Sequence, residues 1–472
     1  MGLDSRRASS ACRARRHGRC SSPCGATAGC TGLRGCACGI RSPAAATDRL
    51  RSRIASPTRR SRTAMPPIRA ALVACLLTGF TALLRVATAM SAPHDPSRVV
   101  DAGFDVSFDA ILDDAGIPGG AWAIIADGKV ERAGAHGVRA LDDPQPVAPA
   151  TVFRIASLSK TFAAGLAAIL VDEGKLRWNQ PIAEFAPQFR LHGDAQRGLQ
   201  LQHILGQSSG LVPNAFDNLV DAGQSLERIL PQFRTLSPGC APGRCYGYQN
   251  ILYALSAQAI EQAGGKDYAI QVTERIFTPL AMHTASFGRA ALLASPDHAL
   301  PHVRKGEAWR SVEVEEDYYR LPAAAGINAS VIDLAQWTLA QMGRHPQVID
   351  PAQVDVLTKP RVSTPKDMGH RYWKDVLTSA HYGLGWRVYR IGDDAVVLHS
   401  GWVKGYVGTI SYSPRLQRGL VVLLNGESNR LNEIVSGFWV RQFEALRHSA
   451  PDETGAIRDA DESQRSEGAA KH

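Results

Sequence analysis

Strand signals gather at the two ends of this chain, and helical periodicity fills most of the span between them. Near the front, 121–126 is an apolar run, Asp127-Gly128 is a hairpin turn pair, and 129–134 reads as the return strand. A third strand is expected near 136–140. Near the back, 382–389, 395–398, 406–413 and 419–425 read as strands, the last holding the unbroken run Leu420-Val421-Val422-Leu423-Leu424. The middle shows helices over 182–189, 201–206, 226–236, 250–264, 268–277 and 331–342. A helix over 97–114 opens the pattern, with Val100, Phe104, Phe108, Ile111 and Leu112 facing inward, and another over 431–446 closes it. Segment 285–319 has little regularity, which suits a stretch lining an opening. Two remote groups of strands bury their apolar faces most simply by joining one sheet. The expected fold class is therefore α+β, an α/β sandwich. Its antiparallel sheet, from 97–160 and 381–446, is flanked by N- and C-terminal helices, and an all-helical lobe over 161–380 is inserted.

Composition divides the chain before that domain begins. Residues 1–64 hold fourteen arginines, no lysine and two acids, with six of the nine cysteines. The spacings Cys20-x3-Cys24 and Cys36-x-Cys38 fit no common zinc finger, and a basic nucleic-acid arm is a second reading. The favoured reading is a disordered or mis-joined leader. Met65 then starts a signal peptide over 65–92: a short basic stretch to Arg69, an apolar run over 70–84, and the small-residue site Ala87-Thr88-Ala89. The run is short for a membrane span, so no stable anchor is expected unless the signal stays uncleaved. Past Ala92 the overall charge of +9 falls to −5, which gives no reason to expect a nucleic-acid partner. The expected product is periplasmic or secreted, a monomer over 93–448 with a disordered tail over 449–472. Cys240 and Cys245 would meet an oxidising compartment and close a short disulfide loop.

The chemistry centres on Phe153-Arg154-Ile155-Ala156-Ser157-Leu158-Ser159-Lys160-Thr161-Phe162. This stretch runs from a strand end or loop into a helix whose Phe162, Leu166, Ile169 and Leu170 share a face. Ser157 and Lys160, three apart, fall on one side of it. A serine hydroxyl needs a base to become a nucleophile, and a lysine becomes a base when burial or a neighbouring cation lowers its pKa. A helix N-terminus disfavours the ammonium and offers N–H groups to an oxyanion. The same spacing also serves a capping serine beside a surface lysine.

Two later stretches add to it. Tyr248-Gln249-Asn250 precedes a helix, where an aromatic packing residue and a capping Asn would also fit. His399-Ser400-Gly401 lies at a strand end, where glycine also terminates strands. In this order, Ser-x-x-Lys, Tyr-x-Asn and a late-strand His-Ser-Gly resemble the penicillin-recognising serine hydrolases: class C β-lactamases, D-Ala-D-Ala carboxypeptidases and related esterases. Further similarity lies in Gly128-Lys129-Val130, 170–176, Ser208-Ser209-Gly210-Leu211, Pro242-Gly243 and Tyr382-Gly383-Leu384-Gly385-Trp386, and the likeness spans roughly 99–445.

The resemblance implies a β-lactamase/transpeptidase-like fold and an acyl-enzyme mechanism with Ser157, Lys160 and Tyr248 as catalytic residues. It implies an oxyanion hole from the backbone N–H groups of Ser157 and Trp402. Asn250, His399, Ser400 and Gly401 would bind substrate, a small molecule or a peptide, with no cofactor and no metal. A sensor that acylates without turnover has the same motifs. Two departures bear on substrate: His399 stands where class C enzymes usually carry lysine, and Gln249 replaces a small residue. Both argue against β-lactam turnover and leave acylation untouched. His399 is expected to face the cleft beside Ser400 and to hold a substrate carboxylate more strongly as pH falls.

Overall fold

The computed structural model describes residues 101–449. The predicted leader, signal peptide and polar tail lie outside them, apart from the last helical residue. An eight-stranded sheet runs in the order β2-β1-β13-β12-β11-β10-β9-β8, every neighbouring pair antiparallel. Its strands are β1 (Gly119–Ala126), β2 (Lys129–Gly137), β8 (Val362–Ser363), β9 (Ser379–Tyr382), β10 (Arg387–Ile391), β11 (Asp394–Val403), β12 (Tyr406–Ser413) and β13 (Arg418–Leu424). The two ends of the domain join where β1 pairs with β13, Gly120 opposite Leu424. The α+β sandwich read from the strand distribution is the fold observed.

Alternation explains why both faces are covered. Ala121, Ala123, Ile125, Val421 and Leu423 belong to one core, while Trp122, Ile124, Leu420, Val422 and Leu424 belong to the other. A strand with both sets apolar requires a helical layer on each side. The second core is closed by the terminal helices α1 (Phe104–Ala115) and α5 (Arg430–Ser449). Phe104 meets Trp122 and Phe438 edge-on, with ring centroids 5.0 and 5.6 Å away. The first core is closed by α2 (Ser159–Asp172) and α4 (Val331–Gln341).

Helix α2 is buried on nearly every side, including Ser159, Lys160 and Thr161. Periodicity marked one apolar face; the polar residues among it are enclosed as well. Trp337 of α4 explains part of this. Its ring stacks on Phe162 at 4.6 Å, and its Nε1 donates to Thr161 Oγ1 at 2.9 Å. Gly165 makes room for that ring, since a Cβ there would sit 2.4 Å from it.

Several boundaries differ from the sequence reading. The expected strand over 382–389 is two strands, β9 and β10, joined by a turn in which Gly385 has φ +75°. That turn packs on α2: a Cβ on Gly385 would lie 2.5 Å from Ala164 Cβ and 3.1 Å from the Lys160 carbonyl oxygen. The third strand near 136–140 is instead the end of β2. The expected helices at 226–236 and 268–277 each change winding partway, to a 3₁₀ turn at Leu230–Thr235 and a π turn at Thr273–Phe277. Segment 285–319 is regular, with a helix at Gly288–Ala294 and a hairpin of β5 (His302–Lys305) and β6 (Ala308–Ser311). The inserted lobe is thus largely helical, with small strands added. They include β4 (Ser286–Phe287) and β7 (Ile327–Ala329), which join β3 (Phe153–Arg154) in a three-stranded sheet. Among the described residues, no helix is long and apolar enough to cross a membrane.

Candidate active site

Ser157 sits in a 3₁₀ turn, Ala156–Leu158, that leads directly into α2. Ala156 has φ +50°, a left-handed conformation that costs a non-glycine residue on the order of 1 kcal/mol. Strand β11 braces this turn. Its partner β10 begins at Arg387, opposite Leu398, so the edge of β11 from His399 onward is free on that side. The turn lies against that edge. A Cβ on Gly401 would come 2.3 Å from the Ile155 carbonyl oxygen, so only glycine permits the approach. His399-Ser400-Gly401 is therefore mid-strand, and the glycine marks a close contact rather than a strand end.

Lys160 is fully buried. Its Nζ lies 3.0 Å from Ser157 Oγ, 2.7 Å from Asn250 Oδ1 and 3.0 Å from the Ala324 carbonyl oxygen. Burial pushes its pKa down to about 7, against an opposing pull from Asp217. Near neutrality the amine thus loses its proton readily. Two of its three partners are carbonyl oxygens, which only accept. The two N–H groups of the neutral amine stay with them, and its lone pair is left facing Ser157 Oγ.

Tyr248 closes the other side of Ser157. Its ring centroid is 4.9 Å from Lys160 Nζ, and its hydroxyl hydrogen-bonds with Ser157. Burial raises its pKa to about 12, while the Ser157 hydrogen bond and the Arg387 charge pull the other way. It is a neutral phenol at physiological pH. The loop carrying it is held by Gln207, whose side chain brackets Gln249: Oε1 accepts from Gln249 N at 2.7 Å, and Nε2 donates to Gln249 O at 3.2 Å. Cys240 and Cys245 are bonded in the same loop, their Cα atoms 6.4 Å apart. Gly243 between them donates to the Ser208 carbonyl at 2.7 Å.

His399 borders the cleft, yet both its ring nitrogens are taken. Nδ1 lies 2.9 Å from the Ser400 carbonyl, which can only accept, so Nδ1 carries the proton. Nε2 then accepts from the Tyr382 hydroxyl at 3.0 Å. Burial, Arg387 and Lys160 hold its pKa well below the usual histidine range. The imidazole is thus neutral, with both nitrogens engaged within the protein. Ser400 lines the cleft with its Oγ 2.9 Å from Thr409 Oγ1. Trp402 stands at the rim, 43 % exposed, its Nε1 donating to Glu427 at 2.6 Å.

Three residues that sequence reasoning passed over complete the site. Arg387 borders the cleft, pairs with Asp367 and donates to Tyr246 Oη at 3.0 Å. Asp217, on α3 (Asp217–Asp221), accepts from Asn250 Nδ2 at 2.7 Å. Gln207 is the third. Only Arg387 had a signal, as the residue directly after the Gly-Leu-Gly-Trp motif. Ser157, Asp217, Tyr248, Asn250, Arg387 and Ser400 line a cleft of about 490 Å³, and Gln207 acts on it only through the loop that carries Tyr248.

A profile of the Beta-lactamase family matches residues 104–435. Two curated relatives are an unguisins hydrolase of Aspergillus campestris, 25 % identical over 351 residues, and the protein Flp of Staphylococcus aureus, 24 % identical over 326. These alignments take in 71 % and 68 % of this chain and 64 % and 62 % of the relatives, so the chain spans just under two thirds of their length. Among solved structures, the octameric penicillin-binding protein homologue of Pyrococcus abyssi has a TM-score of 0.59 at 24 % identity, covering 69 % of this chain and 73 % of that one. A class C β-lactamase of Rhodobacter sphaeroides also has a TM-score of 0.59, at 20 % identity, covering 73 % and 99 %. The likeness to both structures is one of fold. The chain belongs to the Beta-lactamase family, whose members are generally serine hydrolases acting on small-molecule or peptide substrates.

Proposed function

We propose that this chain is an exported serine hydrolase that cleaves an amide or ester through an acyl-enzyme on Ser157. One observation carries the reading: a fully buried lysine amine, with its pKa near 7, lies 3.0 Å from a serine hydroxyl. Ser157 Oγ attacks the carbonyl carbon as its proton passes to neutral Lys160. The backbone N–H groups of Ser157 and Trp402 stabilise the oxyanion. The C–N or C–O bond then breaks, and the leaving group takes its proton from Lys160 by way of the Tyr248 hydroxyl. Water releases the acyl group by the same route reversed. Ser400 and Gly401 contact substrate along the edge of β11, and Asn250 does so from the segment that also carries Tyr248. The Cys240–Cys245 bridge, formed on export, keeps Tyr248 aimed, and the enzyme works as a monomer.

Within this class the cleft favours esters and neutral amides or peptides over β-lactams of the class C type. Carboxylate recognition would fall to His399, which is neutral and fully engaged, while Arg387 is already paired with Asp367. The test is a panel of a p-nitrophenyl ester, a D-Ala-D-Ala peptide and a chromogenic cephalosporin, with Ser157→Ala as control. Turnover of ester or peptide that disappears in Ser157→Ala supports the acyl-enzyme, and turnover of the ester alone supports the preference for neutral substrates, since the D-Ala-D-Ala peptide also ends in a carboxylate. Activity that survives Ser157→Ala overturns the proposal. One equivalent of product without turnover points to a sensor instead.

A further inference from the structure

Asn250 is useful to Lys160 only in one orientation. Its side-chain oxygen must face the amine, as it does at 2.7 Å. Turned by half a revolution, the amide would present an NH₂ group, which has no lone pair to offer. The Lys160 nitrogen would then have to accept from it, and the lone pair needed for Ser157 would be spent. Something must enforce the productive orientation, and Asp217 is placed to do so. Its Oδ2 lies 2.7 Å from Asn250 Nδ2, and an ionised carboxylate can only accept. We propose that Asp217 is a positioning residue for the acylation step, locking the Asn250 amide so that the lone pair of Lys160 stays directed at Ser157.

The cost of Asp217 supports this. Its carboxylate is nine-tenths buried, and its other oxygen, Oδ1, has no hydrogen-bond partner among the described residues. Such an oxygen costs stability. No guanidinium or ammonium forms an ion pair with Asp217 within 4 Å among the described residues. A carboxylate kept for stability would be better paired. Burial raises its pKa, while Asn250 and Lys160 restrain the rise. Its charge in turn favours the ammonium form of Lys160. The other titratable or charged groups around that amine are the half-buried Tyr248 and the buried Tyr253 and His399, all three neutral, with Arg387 and Asp221 lining the same cleft.

The inference rests on Ser157 and Lys160 acting as nucleophile and base, and one experiment separates the two claims. Labelling rates with a fluorophosphonate are measured across the neutral pH range for the wild type, Ser157→Ala, Asp217→Asn and Asp217→Ala, with melting temperatures alongside. Asp217→Ala frees the Asn250 amide and should slow labelling ~10-fold or more, the scale of a small misplacement of a reacting group. Asp217→Asn can still accept from Asn250, so it should lose less. Without the negative charge, its acid limb should move to lower pH by roughly one unit. Asp217→Asn should not melt below the wild type, because it keeps an acceptor for Asn250 while removing a poorly satisfied charge, whereas Asp217→Ala leaves Asn250 Nδ2 unpaired and is read through its labelling rate. A purely structural Asp217 predicts the reverse: lower melting temperatures and an unmoved pH midpoint. Should Asp217→Ala fail to fold, the nearly isosteric Asp217→Asn still decides through its midpoint. Profiles indistinguishable from wild type overturn the inference while leaving Ser157 in place. Labelling that survives in Ser157→Ala overturns the proposed function beneath it.

Discussion

Lys160 and Arg418 are both buried cations, and the molecule treats them differently. Arg418, at the start of β13, hydrogen-bonds directly to Asp101, whose second oxygen accepts from Gln442 Nε2 at 2.6 Å. Burial holds the Asp101 carboxyl up at about 6, against the pull of the guanidinium. Lys160 also has a carboxylate nearby, but the Asn250 amide stands between them. Direct contact makes an ion pair that ties the start of the described chain to its last strand. Separation by one neutral amide leaves an amine that can give up its proton near pH 7. Arginine suits the first position because it keeps its charge under almost any burial, and lysine suits the second because it does not.

The comparison breaks most visibly if either cation can be lost without its own kind of damage. Ser157→Ala should abolish labelling by a fluorophosphonate, and Lys160→Ala should slow it by about 10³-fold, within the range of a lost general base. Arg418→Met should instead destabilise the fold by about 3–5 kcal/mol, because it leaves a buried carboxylate without its countercharge. Denaturant melts would measure that loss, and the labelling rate of the folded fraction should keep its pH midpoint. A wild-type pH profile sharpens the contrast further. Labelling should fall about tenfold per pH unit below about 7, as Lys160 takes up a proton and loses its lone pair. Tyr248 should add no second transition until strongly alkaline pH. A rate that rises only near the ordinary lysine pKa would mean that burial does not tune Lys160.

Smaller effects test the surroundings. Reducing Cys240–Cys245 should cost about 2 kcal/mol of stability by loop closure, and should lower turnover more than melting temperature because Tyr248 shares that loop. Smallest of all is the effect of acid on substrate binding. The KM for carboxylate-bearing esters should stay flat through the ordinary histidine range, since His399 remains neutral there. A KM that drops with falling pH would restore His399 as a carboxylate contact.

The fold was legible because its strands carry apolar residues on both faces and its turns carry glycine. Asp127-Gly128 and the run 420–424 placed β1 and β13 to within two residues and fixed the start of β2, which runs three residues past its expected end. Ser157, Lys160 and Tyr248 were legible as motifs with a fixed order. Asp217 and Gln207 were not, because each acts through a neighbour distant in sequence: Asn250 is thirty-three residues from Asp217, and Gln249 forty-two from Gln207. Local periodicity contains no trace of such partnerships. His399 shows a different gap. Its position in the motif was readable, but its protonation depends on Tyr382 and Arg387, which chain folding brings to it.

The pairing of β1 with β13 has a kinetic consequence. Gly120 and Leu424 lie some three hundred residues apart, so the central sheet cannot close until nearly the whole domain has been synthesised. Closing a loop that long costs entropy before any contact repays it, and folds built this way are slow to form. The helical middle can collapse on its own contacts first, with α2 still lacking the sheet beneath it. The strained turn at Ala156 then waits for β11, the strand whose free edge braces it. Nascent or truncated chains ending before β11 would therefore hold Ser157 and Lys160 in sequence but not in register, and the nucleophile would stay silent until the final strands dock.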